Sequence, residues 1–220
     1  PARSFQKALA KAGPIWSADG TSILVVSGER GDANLIRVDA TSGAVTPVSR
    51  GSQTVQSYSA TADGKTIAAV ISTPVAIGDI FMFMLEAGGA GTPRQITRLS
   101  DALFSSLDVP QPEEVSWTSF DGRKMQGWLL HPAGFDRTKK YPFILQIHGG
   151  PHSAYGNVFT HEFDVMTAHG YVVLYANPRG SSNYGQEFGN IIQFHYPGDD
   201  YKDLMAGVDE IVKRGYIDTT

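Results

Sequence analysis

Short apolar runs separated by turn-forming residues fill the first 100 residues. The runs that predict β-strands are residues 23–26, 35–39, 45–48, 67–71, 80–84 and 94–97. One Asp-Gly turn begins at residue 19, before the first run, and another begins at residue 63, before the fourth, 44 residues further along. Repeats of ~40–50 residues with several strands each are typical of β-propeller blades. The pattern predicts about two blades, with an antiparallel sandwich as the alternative.

The pattern changes after residue 100. Residues 101–115 contain Pro110 and Pro112 and are predicted to be a linker at a domain boundary. Two apolar stretches follow, at 115–120 and 125–130, on either side of an Asp-Gly pair at residue 121. This arrangement predicts a β-hairpin.

From residue 143 onwards, strand patterns alternate with helix patterns. The run Phe143–Ile147 is apolar except for Gln146, and residues 171–175 form a second apolar run. Between them, Phe159, Phe163 and Met166 recur at helical spacing, and Gly170 ends this helix. This order predicts a mostly parallel sheet with helices on both faces, in which 143–147 is a central strand.

A second helix is predicted after residue 198. Asp199 or Asp200 would cap its amino-terminal end, and Lys213 and Arg214 would lie in its last turn before Gly215. Its apolar face would consist of Leu204, Val208, Ile211 and Val212. We interpret the acidic residues at its start as capping and dipole compensation, so no metal site is predicted from them.

Composition narrows the class of protein. The 220 residues are 41% hydrophobic and 18% charged, with a formal net charge of −4 and a pI near 5.8. These values suit a soluble globular chain and argue against nucleic acid or membrane as a partner. The chain has no cysteine, which excludes disulfides and a cysteine nucleophile. No signal peptide is visible after Pro1, and cytoplasmic and periplasmic locations both remain open.

The strongest chemical signal is the loop His148-Gly149-Gly150-Pro151-His152, directly after the apolar run 143–147. Glycine leaves the backbone N–H unshielded and permits unusual φ/ψ angles. In α/β-hydrolases, a loop of this kind aims a backbone N–H at an oxyanion. A simple tight turn is the alternative interpretation. The 220 residues contain no Gly-x-Ser-x-Gly nucleophile motif.

Around this loop the sequence resembles the prolyl oligopeptidase family of serine peptidases, in the acylaminoacyl-peptidase and dipeptidyl-peptidase-like branch. The resemblance is dense over about 141–218 and only architectural over 1–100. Besides the loop, the matching segments are Tyr155-Gly156, 170–174, Asn177-Pro178-Arg179-Gly180-Ser181, 184–188, 199–209 and Gly215-Tyr216-Ile217-Asp218.

The resemblance implies an α/β-hydrolase domain preceded by a β-propeller. Residues 1–108 would be the carboxy-terminal part of the propeller, and 109–220 the amino-terminal half of the hydrolase domain. The catalytic Ser, Asp and His would all lie beyond Thr220, so the 220 residues alone are expected to be inactive. Of the catalytic groups, only the Gly150 backbone N–H would be present, as one donor of the oxyanion hole.

The remaining candidates have weaker assignments. We expect Gly149 and His148 to support Gly150, His148 through a structural hydrogen bond in the loop. His152 and Arg179 are candidates for substrate binding, but we favour a loop or pocket-wall role for His152 and an ion pair that braces the loop for Arg179. The other histidines show no metal-ligand spacing, so neither metal nor cofactor is expected.

The predicted function is therefore that of a serine peptidase acting on short peptides through an acyl-enzyme. An esterase on the same hydrolase core is one alternative, although Pro151 departs from the usual His-Gly-Gly-Gly loop of that class. A non-catalytic binding module is the other. The expected partners are a short peptide substrate and the remainder of the polypeptide, possibly a second chain, and a homo-oligomer is left open.

Overall fold

The computed structural model describes residues 13–86, 89–90 and 92–220. The chain divides into two compact units. The first extends to Ser106 and also includes Gly156–Phe159, whereas the second comprises Leu107–Tyr155 and Thr160–Thr220. The predicted domain boundary between residues 108 and 109 stays a prediction, and the residues around Pro1 that were examined for a signal peptide lie outside the described part.

The first unit is a nine-stranded, largely antiparallel sheet. Its strands are β1 (Ile15–Trp16), β2 (Ser22–Glu29), β3 (Asp32–Asp39), β4 (Val45–Pro47), β5 (Thr54–Ala60), β6 (Thr66–Thr73), β7 (Ala76–Glu86), β8 (Gly89–Ala90) and β9 (Arg94–Gln95). A short helix, α1 (Asp101–Phe104), follows in the stretch predicted to be a linker. The six predicted strands of this region are all present, and β1, β5 and β8 are additional strands.

The sheet consists of two antiparallel groups, β1–β4 and β5–β7 with β9, which are joined by a single parallel pairing between Ala33 and Thr54. The turn after the first strand is built in the same way in both groups. Asp19 Oδ1 accepts the Ser17 hydroxyl at 2.7 Å, and Asp63 Oδ1 accepts the Thr61 hydroxyl at 2.5 Å. The following glycine has a positive φ in both turns, as the Asp-Gly pattern requires.

The second unit is built on a four-stranded sheet. Its strands are β10 (Glu113–Thr118), β11 (Lys124–Leu130), β12 (Phe143–Ile147) and β13 (Val172–Asn177), in the order β10-β11-β13-β12. The predicted hairpin is present as β10 and β11. Only β12 and β13 pair in parallel, so the prediction of a mostly parallel sheet is wrong for the described residues. β12 lies at the edge of the described sheet, and its central position in the complete domain stays a prediction.

Helices cover both faces of this sheet, as predicted. They are α2 (His161–Ala168), α3 (Gln186–Asn190) and α4 (Asp199–Val212). On one face, Val172 and Leu174 of β13 share a core cluster with Leu204 and Ile211 of α4. On the other face, Phe163 of α2 packs in a cluster with β13 and β11. Alternate residues of β13 therefore serve the two cores, which explains why the whole strand is buried.

The ends of α4 differ from the prediction. Gly198 occupies the N-cap position, and neither Asp199 nor Asp200 caps the helix through its side chain. Instead, the Asp200 carboxylate accepts the backbone N–H of Gly198 at 2.6 Å. Lys213 is the C-cap residue, so the two basic residues follow the helix rather than lying in its last turn. Within the described residues, no helix is both long and apolar enough to cross a membrane.

Candidate active site

The Gly149-Gly150 turn lies directly beyond the carboxyl end of β12, the edge where open α/β sheets place functional groups. Both glycines are exposed. Neither N–H donates a hydrogen bond to any group in the described part of the chain. Backbone donors are therefore available at this position, and an oxyanion site is built from such donors.

The backbone explains why residue 150 is glycine. Its φ of +139° lies in a region that residues with a side chain rarely adopt. A Cβ at this position would also lie 3.0 Å from the His152 backbone nitrogen and 3.2 Å from that of Ser153. By contrast, a Cβ at Gly149 would meet nothing within 4 Å. The constraint on residue 150 therefore comes from the turn itself.

His148 is held by a contact with Ser181. The Ser181 hydroxyl donates to the Pro178 carbonyl oxygen at 2.6 Å, and its oxygen lies 2.9 Å from Nε2 of His148. Because the hydroxyl has a single hydrogen, Nε2 is the donor in the second contact. Nδ1 lies 3.1 Å from the Gly149 carbonyl oxygen. Burial lowers the pKa of His148 below its usual value, opposed by the nearby Gly149 carbonyl.

The far end of the same loop is held by Asn177, the last residue of β13. Its Oδ1 accepts the Tyr155 N–H at 2.8 Å, and its Nδ2 donates to the Tyr155 carbonyl at 2.9 Å. Nδ2 also donates to the Tyr184 hydroxyl at 2.8 Å. The Asn177 amide thus pairs with a main-chain residue as a strand neighbour would, and it is fully buried.

Between these two points, His152 and Ser153 also contact the segment after β13. The Nδ1 atom of His152 lies 3.2 Å from the Gly180 carbonyl oxygen, and the Ser182 N–H donates to the Ser153 carbonyl at 2.8 Å. His152 itself is exposed. Its assignment to substrate binding stays a prediction.

Arg179 is buried and its guanidinium group contacts carboxylates. Asp203 accepts the Arg179 backbone N–H at 2.8 Å, Nε–H at 2.8 Å and an Nη2–H at 2.7 Å. Asp121 accepts a further bond from Nη2 at 3.2 Å. The bonds and charge of Asp203 raise the pKa of Arg179. With a side chain only 3% exposed, this geometry favours the bracing role of Arg179 over its assigned contact with substrate.

The sequence did not single out three residues of this arrangement as site residues. Asn177, Ser181 and Asp203 lie within the segments that carry the resemblance, but their roles depend on partners far away in sequence. The visible signal was a polar residue, Asn177, followed by Pro178 at the end of an apolar strand. Within the described residues, no group of three or more His, Asp or Glu side chains is arranged to hold a metal ion.

Several proteins with sequences similar to this chain are named as peptidases. The sequence model of the prolyl oligopeptidase family matches residues 157–220. The chain is 35% identical over 201 residues to the Bacillus subtilis protein named uncharacterized peptidase YuxL, covering 91% of the chain and 30% of that relative. It is 31% identical over 157 residues to dipeptidyl-peptidase 5 of Porphyromonas endodontalis, covering 70% of the chain and 22% of that relative.

Solved structures share the fold. Acylaminoacyl peptidase of Pyrococcus horikoshii superposes with a TM-score of 0.78 at 24% identity, covering 90% of this chain and 30% of that one. A puromycin-hydrolyzing peptidase of Mycobacterium tuberculosis superposes with a TM-score of 0.69 at 20% identity, covering 93% of this chain and 32% of that one. The chain thus spans about a third or less of the length of the relatives it matches, and it shares its fold with the two solved structures.

Proposed function

We propose that the full-length protein carrying this chain is a serine peptidase that hydrolyses short peptides through an acyl-enzyme. The observation that carries the proposal is the exposed Gly149-Gly150 turn, whose N–H groups are unpaired in the described residues at the carboxyl end of β12. This turn precedes the segment 157–220, which matches the sequence model of a peptidase family. The relatives named as dipeptidyl-peptidase and acylaminoacyl peptidase support the substrate class.

In this proposal the backbone of Gly150 acts in the chemical step. A serine outside these 220 residues attacks the peptide carbonyl carbon, and the carbonyl oxygen becomes an oxyanion. The Gly150 N–H donates to that oxygen, together with a second N–H next to the serine. Each such donor typically contributes ~2.7–4 kcal/mol of transition-state stabilisation. The tetrahedral intermediate then collapses: the C–N bond breaks, the amine leaves with a proton, and an acyl-serine ester remains. Water hydrolyses this ester, which releases the carboxylic acid and restores the serine hydroxyl.

The proposal extends to the domain organisation. Residues 1–108 would be about two blades of a β-propeller that restricts entry to short peptides, and 109–220 the first half of the hydrolase domain. Support comes from the two antiparallel groups of the first unit, whose equivalent Asp turns share the same hydrogen bond from a serine or threonine hydroxyl. The remainder of the polypeptide would supply the Ser, Asp and His and close both domains.

The test uses the full-length protein and a fluorophosphonate probe that labels activated serines. We expect labelling of the native protein and none after heat denaturation, with peptide mapping placing the labelled serine outside residues 1–220. We also expect hydrolysis of N-acetyl-peptide or dipeptide amides, inhibited by the same probe. Hydrolysis of p-nitrophenyl esters without any peptide hydrolysis would favour the esterase alternative. Absence of both labelling and hydrolysis would overturn the proposal and favour a binding module.

A further inference from the structure

The segment 177–182 supports the loop 148–155 along its length. At one end the Asn177 side chain pairs with both main-chain groups of Tyr155. In the middle, the Ser182 N–H donates to the Ser153 carbonyl. At the other end, Ser181 contacts His148, the residue immediately before Gly149. The conformation of the glycine turn therefore depends on where this segment lies.

The segment is itself fixed by a buried ion pair. Arg179 donates three hydrogen bonds to the Asp203 carboxylate, one of them from its backbone N–H. The Asp203 side chain is fully buried and also accepts the Ser119 hydroxyl at 2.5 Å. Bidentate contacts of this kind restrict geometry more than single bonds do. The residue two positions after Arg179 is Ser181, so its hydroxyl is presented from a firmly held backbone.

We propose that Ser181, on the segment anchored by Arg179 and Asp203, is a positioning residue that holds the Gly149-Gly150 turn through its contact with His148. This inference rests on the proposed function, because the turn matters only if its N–H groups bind an oxyanion. The Ser181 hydroxyl is 1% exposed, and both its donor and its acceptor capacity are used. Removing it frees the His148 ring and allows the adjacent turn to shift.

The direct test is Ser181→Ala in the full-length protein. We expect kcat to fall about 10- to 100-fold, because small misplacements of a catalytic donor have effects of this order. KM should stay nearly constant, because the loss is confined to the transition state. The affinity for a peptide aldehyde, whose adduct with serine places an oxygen in the same site, should fall by the same factor as kcat/KM.

A matched control is Ser49→Ala in the first unit. Ser49 is also buried, and its hydroxyl also makes two hydrogen bonds, accepting the Leu35 N–H at 2.9 Å and donating to Asn34 at 2.8 Å. We expect a comparable fall in Tm for both variants, but unchanged kcat for Ser49→Ala. An equal loss of kcat in the two variants would mean that Ser181 acts only through stability, which would overturn the inference.

A double-mutant cycle with His148→Ala gives a second readout. If Ser181 acts through His148, Ser181→Ala adds little to the loss already caused by His148→Ala. If the fold losses in kcat of the two single variants multiplied in the double variant, the inference would be overturned. A normal kcat in Ser181→Ala, measured beside an active wild type, would also overturn it. A wild type without labelling or hydrolysis would instead overturn the proposed function, so the two failures are distinguishable.

Discussion

Asp164 of α2 is a carboxyl group in an unfavourable environment. Its partial burial raises its pKa to about 6, although nearby His161 opposes the shift. Because the folded pKa is raised above the unfolded value, folding favours the protonated form. The contribution of Asp164 to the free energy of unfolding is therefore most favourable below pH ~4, where the carboxyl group is protonated in both states. That contribution is lost as the pH rises through about 6, because the folded protein must then hold a partly buried charge.

We accordingly expect Asp164→Asn to stabilise the protein at pH 8 but not at pH 4. The gain at pH 8 should be about 1 kcal/mol, well below the full shift because the side chain remains partly hydrated. Urea denaturation of wild type and variant at the two pH values measures it. Asp136→Asn serves as a control, because hydrogen bonds from Thr138 lower the pKa of Asp136 and no gain at pH 8 is expected. An Asp164→Asn effect of the same size at both pH values would contradict this account.

Gly150 and Gly149 should differ in their tolerance of a side chain. Gly150→Ala places a Cβ against the His152 and Ser153 nitrogens at a positive φ, so the turn must change. We expect kcat/KM of the full-length enzyme to fall about 10²–10³-fold, the typical effect of losing one oxyanion donor. Steady-state kinetics with a peptide amide measures this.

Gly149→Ala is the matched comparison for the fold. Its Cβ would enter open space and its φ is not in the positive range that disfavours side chains. We expect its Tm to match that of the wild type, whereas Gly150→Ala should lower Tm because its backbone is strained. If Gly149→Ala and Gly150→Ala had equal Tm values, and if Gly150→Ala kept near-normal turnover, residue 150 would be an ordinary turn position.

At the scale of elements, α4 carries a buried carboxylate, Asp203, that forms an ion pair with Arg179 in the segment after β13. Asp203→Asn would leave the Arg179 guanidinium buried without its main partner, so we expect a loss of about 3–5 kcal/mol in the free energy of unfolding. Asp199→Asn is the control: this carboxylate is half exposed and lies 3.7 Å from Arg179, so we expect a loss below ~1 kcal/mol. Urea denaturation at neutral pH measures both. Similar values for the two variants would contradict a special role for Asp203.

The apolar runs were sufficient to predict most elements, including β12, β13, α2 and α4. The prediction failed where the structure depends on pairing between distant strands or on backbone groups at a helix end. Strand β5 has only two large apolar residues, Val55 and Tyr58, without regular alternation, and it pairs mainly with its neighbour β6. The antiparallel pairing of β11 with β13, which makes the described sheet mostly antiparallel, is encoded by no local pattern. The cap of α4 depends on the Gly198 backbone rather than on the acidic side chains.

The candidate site was predictable to a similar degree. The glycine loop was visible because two glycines after an apolar run have few other uses. The residues that hold it were not assigned, because a hydrogen bond between residues 148 and 181, or between 179 and 203, leaves no periodic trace in the sequence. These contacts arise only when the sheet brings the ends of β12 and β13 together.

At the scale of the whole molecule, each of the two described units has a feature that bears on the proposed domain organisation. The first has a repeated antiparallel group, which supports the propeller proposal. In the second, the edge strand β12 is preceded by Tyr141, which forms an isolated parallel bridge with Ile217. The inactivity of the 220 residues alone stays a prediction, based on the absence of a Gly-x-Ser-x-Gly motif from their sequence.

The most direct measurement is a crystal structure of the full-length protein after reaction with a peptide phosphonate. We expect phosphorus bonded to a serine outside these 220 residues, and a phosphonyl oxygen about 2.7–3.1 Å from the Gly150 nitrogen, the range for an oxyanion donor. An adduct whose oxygen binds other donors, with the Gly150 N–H directed away from it, would contradict the assignment of this turn as the oxyanion site.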